Sequence, residues 1–272
     1  MKTIGGNLVV NLHKVPGINQ EDSVYLLSTG EKIAQVAKTY EMLWIETTQQ
    51  KFGDFYMNEW GVTICSNACQ SKENKAEGKI GYDLRKIVAE RAENAREGVE
   101  IAIALINELG YESSGRTYCI SDAYEVWFLA VVQGKHYVAQ RLPDNAVAVI
   151  PNFYTIEEID LSDTENFIAS PDIIDYAIEQ GWYNPDLGQP FNFRKAYGNE
   201  GTLISERNTY RNIAGRSAFD FSQVGAFKTS FSIKATEKVT IEDLKLVLES
   251  HFLENSELDS IKTPHNDNRH PI

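Results

Sequence analysis

Apolar and polar residues alternate with a period of two along most of the first third of the chain, and that alternation predicts strands. In "GGNLVVNLHKV" the residues Leu8, Val10 and Leu12 fall on one side, in a strand entered directly from a Gly-Gly turn. "SVYLLSTGE", "EMLWIETTQQKFGDFYMNE" and "GVTICSNA" continue the β-rich pattern, punctuated by Gly30 and Gly53. The period then changes. In "GYDLRKIVAERAENAREGVEIAIALINELGY", Leu84, Ile87, Val88, Ala92, Ala95, Val99, Ala102, Ile106 and Leu109 recur at spacings of three and four, with Gly110 at the stop. Asn94 is placed to cap a second helix, which would make the stretch two helices in tandem.

Three more strand-like runs come next, "RTYCISD", "EVWFLAVVQ" and "HYVAQRL", the last two joined by a Gly134-Lys135 turn that reads as a hairpin. "NAVAVIPNFYTI" is an apolar run broken by Pro151. "SPDIIDYAIEQGW" predicts a short helix with Pro171 at its first position and Gly181 past its end. "FKTSFSIKATEKV" reads as strand, and "TIEDLKLVLESHF" as a helix capped by Thr240 and Asp243. No linker or repeat divides the chain. Antiparallel runs separated by helical blocks predict one α+β domain over residues 1–272, with an irregular polar tail over 254–272.

Charge narrows the partners. The 272 residues carry 26 basic and 39 acidic side chains, a formal net charge of −13. That balance argues against nucleic acid and anionic membranes as partners. Three cysteines, Cys65, Cys69 and Cys119, do not make a disulfide framework, and a lone C-x3-C pair is a weak metal signal. The opening "MKTIGGNLVVNLHKV" shows no signal peptide, and no stretch reaches the roughly 18 apolar residues of a membrane span. The expected location is cytoplasmic, although a full-length form could be exported.

Local chemistry is sparse. None of the five histidines sits in an H-x3-H pattern, and neither a Gly-x-Ser-x-Gly elbow nor a phosphate-cradling loop is present. Cys119 lies in alternating, half-buried strand sequence, where a thiol packs, and Cys65 lies within a strand with Cys69 just beyond it. Two asparagines draw more interest. Asn58 in "MNEWGVTI" marks a tight entry to an apolar strand; it is either a turn residue or an amide donor. Asn152 follows Pro151 in strand-like sequence, where a buried amide must find partners. A primary amide can stabilise a developing oxyanion by roughly 3 kcal/mol.

The order of these pieces resembles the N-terminal-nucleophile (Ntn) cysteine dipeptidases of the dipeptidase A family, relatives of penicillin V acylase and bile salt hydrolase. The matching phrases are "FYMNEWGVTICSNA", the tandem-helix stretch, "YCISDAYEVWFLAVVQGKHYVAQRLPDNAVAVIPN", "SERNTYR" and "FSIKATEKVTIEDLKLVLESHF". The pairing of "ERAenAREgVeia" with "DayEvWfla" is the most specific of them. The resemblance implies an αββα four-layer sandwich. It also implies hydrolysis of dipeptides or other small amides through a thioester on an N-terminal cysteine, with no metal or organic cofactor. By the same resemblance Asn58 and Asn152 match the family's site asparagines. Arg211 matches the arginine beside the nucleophile, with Arg207 as the nearby alternative.

The departures from the family pattern matter as much. Residue 1 is Met, and "GGNLVVNLHKV" resembles the segment that succeeds the family's nucleophile strand and its acidic hairpin. The chain therefore looks like an internal portion, incomplete at both ends and expected to be inactive alone. Neither Cys65 nor Cys69 replaces the missing thiol, since neither has a free α-amine. A non-catalytic descendant that binds small peptides or packs against a partner is the rival reading, and an acylase acting on penicillin V or bile-acid amides is a third. A homo-oligomer is compatible with all three.

Overall fold

The computed structural model describes residues 11–19, 23–46, 52–219 and 230–249. The start of the first expected strand and the 254–272 tail lie outside them.

Among the described residues, eight strands form one antiparallel sheet: β1 (Asn11–Val15), β4 (Met42–Glu46), β5 (Gly53–Asn58), β6 (Thr63–Ala68), β7 (Tyr111–Ser121), β8 (Val126–Gly134), β9 (Tyr137–Arg141) and β11 (Phe167–Ala169), in that spatial order. A small ladder pairs β2 (Val24–Leu26) with β3 (Lys32–Ala34), and another pairs β10 (Ala146–Val147) with β12 (Ile233–Lys234). Short turns join β5 to β6, β7 to β8 and β8 to β9, whereas β6 and β7 pair across the stretch that holds both long helices of the chain's first half. The turn between β8 and β9 is the Gly134-Lys135 hairpin, with Gly134 at φ +88°.

The long periodic stretch is two helices, α1 (Asp83–Arg91) and α2 (Ala95–Leu109). Asn94 caps α2, its side chain accepting from the Glu97 backbone N–H at 2.9 Å. Both helices lay their apolar stripe on one face of the sheet. Leu84, Ile87, Val88, Val99, Ala102 and Ile106 pack there against Tyr56, Ile64, Tyr118, Ile120 and Leu129. The contact is close because Gly98 has no side chain: a Cβ there would sit 2.9 Å from Ile120 Cγ2.

The opposite face carries a second core. Phe128, Ala130, Val132 and Val138 meet Tyr154, Phe193, Ala196 and Tyr197, with Ile173 and Ala177 from α3 (Ile173–Glu179). Phe193–Tyr197 forms α4, and α5 (Glu200–Leu203) comes after it. Phe231, just before β12, packs edge-on against Phe128 at 5.5 Å between ring centres. Behind β10 and β12 lies α6 (Glu206–Phe219), whose Gly215 abuts Val149 and whose Arg216 donates 2.9 Å to the Ser230 carbonyl. α7 (Ile241–Glu249) packs on α6.

Some elements differ from the sequence pattern. The helix of "SPDIIDYAIEQGW" starts two residues after Pro171, with Asp172 as its flanking residue, because Pro171 sits in a preceding turn. β10 holds only Ala146 and Val147 of the residues in "NAVAVIPNFYTI", which pair with the two residues of β12. "SERNTYRNIAGRSAF" has no continuous apolar stripe, so its pattern gives no sign of helix α6.

Candidate functional site

The second face of the sheet ends in a cluster of amides. The Asn152 amide nitrogen donates 2.9 Å to the carbonyl of Ala68, the last residue of β6. Arg211, from α6, donates to the Asn152 side-chain oxygen. Asn67 donates to the Ile150 carbonyl, so side chains on both flanks lay residues 150–152 against the end of β6. Asn208 adds a bond to the Asn152 carbonyl at 3.3 Å and another to that of Thr202 at 2.7 Å.

Asn208, Arg211, Asn212 and Gly215 stand at helical spacings of three and four, on one side of α6. Asn212 is fully buried, and among the described residues neither its amide nitrogen nor its oxygen has a hydrogen-bond partner. The side-chain oxygen of Asn208 is likewise buried and unmatched. Buried amides are almost always paired, and each unmatched donor or acceptor costs about 1–3 kcal/mol. Nothing in the spacing of "ERNTYRNIAG" marks Asn212, because its signal is burial without a partner.

Of the three residues that the family resemblance points to, the structure brings Asn152 and Arg211 together and places Asn58 elsewhere. Both amide hydrogens of Asn58 are spent at the C-terminal end of α1, on the carbonyls of Ala89 (3.0 Å) and Ala92 (2.7 Å). Its side-chain oxygen accepts from Trp60 and Val62, each at 3.0 Å, closing the β5–β6 turn. The amide therefore has no hydrogen or lone pair left for a ligand. Val62 and Ala68 also bracket opposite ends of β6, six residues and so about 20 Å apart. For Arg207 only the backbone, in α6, is described.

The three thiols sit on the same face as the amide cluster. Cys65 and Cys119 are directly opposed on β6 and β7. Cys119 hydrogen-bonds to Cys65, which lowers the Cys65 pKa despite burial, helped by the charge of Arg85; the same bond, with burial, raises Cys119 well above a normal thiol. Cys69 is fully buried beside Thr117 Oγ1 at 3.3 Å, and burial pushes its pKa up to about 11. Neither His13, bonded to Glu46, nor His136, stacked on Tyr176 near Asp172, is engaged with a thiol. Among the described residues no group of three or more His, Cys, Asp and Glu side chains could hold a metal ion, and no helix is long and apolar enough to cross a membrane.

Comparison with known proteins agrees with the motif order. The chain belongs to peptidase family C69, whose profile matches residues 33–271. It is 34% identical over 199 residues to the dipeptidase of Bifidobacterium longum strain NCC 2705, covering 66% of this chain and 37% of that protein. It is 30% identical over 182 residues to dipeptidase A of Lactobacillus helveticus, covering 65% of this chain and 38% of that protein. The chain thus spans well under half the length of the curated relatives it matches. Among solved structures, penicillin V acylase of Agrobacterium tumefaciens superposes with a TM-score of 0.35 at 14% identity, covering 48% of this chain and 41% of that one.

Proposed function

We propose that this chain is the amide-holding part of a dipeptide-hydrolysing enzyme, built on the αββα plan. In that plan α1 and α2, the large sheet, the β10–β12 ladder and the α6–α7 pair are successive layers. The observation that carries the reading is the unmatched Asn212 amide, on the side of α6 that also presents Arg211 to Asn152. A peptide unit offers one N–H and one C=O, the complement of a primary amide's oxygen and nitrogen. A guanidinium beside them suits a substrate carboxylate or a developing oxyanion.

In this reading the attacking thiol is none of the three in the sequence. Cys69 is buried and held protonated, and Cys65 and Cys119 are tied to each other inside strands. The chain by itself therefore binds dipeptide and turns none over.

The test is calorimetric titration with a dipeptide panel, together with a hydrolysis assay, on the 272-residue chain and its Asn212→Leu variant. Saturable binding without turnover is expected, weakened at least tenfold in Asn212→Leu. The variant should unfold no more easily than the parent, because leucine replaces an unmatched polar group of similar size. A structural asparagine would give the reverse, lost stability with unchanged binding. Hydrolysis abolished by Cys65→Ala would overturn the assignment of the nucleophile. Binding that never becomes turnover, even with an N-terminal cysteine strand supplied, would indicate a non-catalytic peptide binder.

A further inference from the structure

The first turn of α2, the paired starts of β8 and ends of β9, and the turn over residues 163–166 border a half-open cavity of about 380 Å³ that plays no part in the amide cluster. It is lined by Arg96, Glu125, Trp127, Arg141, Glu165 and Asn166. Trp127 and Arg141 are opposed across the β8–β9 ladder, and Glu125 is two residues from Trp127, so all three project to the helix side of the sheet. The two phrases "AREgVeia" and "DayEvW", singled out in the sequence, meet here through Arg96, Glu125 and Trp127.

Three observations make this more than an ionic tie. Trp127 is 1% exposed, yet its indole N–H has no partner. A buried indole N–H usually has one. Arg96 lies over the Trp127 ring, with 4.9 Å from its guanidinium carbon to the ring centre. Its Nε donates 3.0 Å to Glu100 and its Nη1 3.4 Å to the Thr164 carbonyl, leaving Nη2 unengaged. Arg141 likewise spends Nε on Glu125 (3.0 Å) and Nη2 on Asp144 (2.7 Å), leaving Nη1. Donors thus remain on the indole and on two guanidinium groups. At the rim, Glu165 is exposed and has no cation partner among the described residues.

We propose that this cavity binds a small zwitterion, the simplest being a free α-amino acid. Its carboxylate lies on the Trp127 N–H and the Arg96 guanidinium, and its ammonium at Glu165. The wall itself carries two arginines and two glutamates, with Glu100 and Asp144 on the outer sides of the two guanidinium groups. A ligand carrying both charges fits that wall better than a simple anion, which would meet two carboxylates, or a simple cation, which would meet two guanidiniums. Arginine supplies the planar donor pair a carboxylate takes.

The experiment is a titration of the 15N-labelled 272-residue chain with L-leucine, read at the indole N–H of Trp127. That resonance is assigned by its loss in Trp127→Phe. A saturable downfield shift is expected. N-acetyl-L-leucine, which lacks the ammonium, and L-leucinamide, which lacks the carboxylate, should each bind at least tenfold more weakly. Arg96→Gln should weaken leucine at least tenfold, and Glu165→Gln should abolish the preference for leucine over N-acetyl-leucine. Should Trp127→Phe fail to fold, Arg96→Gln keeps the test standing, since that side chain is 36% exposed. No saturable shift at millimolar ligand, or equal binding of all three probes, overturns the proposal. The shift should persist in Asn212→Leu, so this site and the amide cluster fail or succeed separately.

Discussion

Arg211 donates to the side-chain oxygen of Asn152, while the Asn152 nitrogen is held 2.9 Å from the Ala68 carbonyl. One amide thereby links helix α6 to the end of strand β6. Which end of the amide faces which partner is settled by chemistry, because a guanidinium only donates and a carbonyl only accepts. The link brings a cation from residue 211 to a strand end at residue 68.

Asn58 should behave as a purely structural residue. Asn58→Ala removes four hydrogen bonds and leaves two carbonyls at the end of α1 and two turn N–H groups without their partner. The expected loss is about 3 kcal/mol in denaturant unfolding. Dipeptide affinity of the folded fraction should be unchanged. A tenfold loss of affinity with normal stability would return Asn58 to the site.

Thiol labelling should rank the cysteines. Under native conditions a thiol reagent should modify Cys65 first, since its pKa is lowered by the Cys119 bond and it is partly accessible. Cys69 should label only on unfolding, as a fully buried thiol with a raised pKa does. Mass spectrometry of the modified peptides gives the order.

Gly115→Ala should be among the costliest single-methyl changes. Gly115 sits at φ +147° where the β7–β8 register shifts, and a Cβ there would meet the Tyr154 hydroxyl at 2.0 Å and the Cys69 carbonyl at 2.5 Å. Tyr154 cannot withdraw without losing its 2.6 Å bond to the Val131 carbonyl. A loss of about 2–3 kcal/mol is expected from backbone strain and overpacking, measurable as a lowered Tm.

Asp122 gives a pH dependence of known sign. Burial alone would raise its carboxyl, but the backbone N–H groups of Ala95 (2.8 Å), Tyr124 (2.7 Å) and Glu125 (3.0 Å) outweigh it and hold the pKa below the usual range. Its folded value lies below its unfolded one. Asp122 therefore stabilises the fold above about pH 4, and that contribution is lost as pH falls through the folded value. Asp122→Asn should cost about 1 kcal/mol at neutral pH. The gap to the parent should shrink as pH drops below about 4.

The elements legible in the sequence are those whose signal is local. The tandem helices carry their stripe and their Asn94 cap within one continuous stretch, and the β8–β9 hairpin carries its glycine. α6 is hidden because its inward side is built from Asn208, Asn212, Gly215 and Arg216, so burial there leaves no apolar period. The proximity of Asn152 and Arg211 is legible in motif order, not in the physics at either position. Asn58 misleads for a related reason: an asparagine at a turn looks alike whether its amide meets a substrate or the end of a helix 31 residues away.

The bond between Asp122 and the Ala95 N–H spans 27 residues. As the polypeptide leaves the ribosome, α2 can wind on its own cap, yet its first turn stays frayed until the apex of the β7–β8 hairpin emerges and reaches back. The apex in turn gains its anchor only when that helix is in place. Helix and hairpin are thus expected to mature as one cooperative unit, and amide exchange at Ala95 and Tyr124 should slow together.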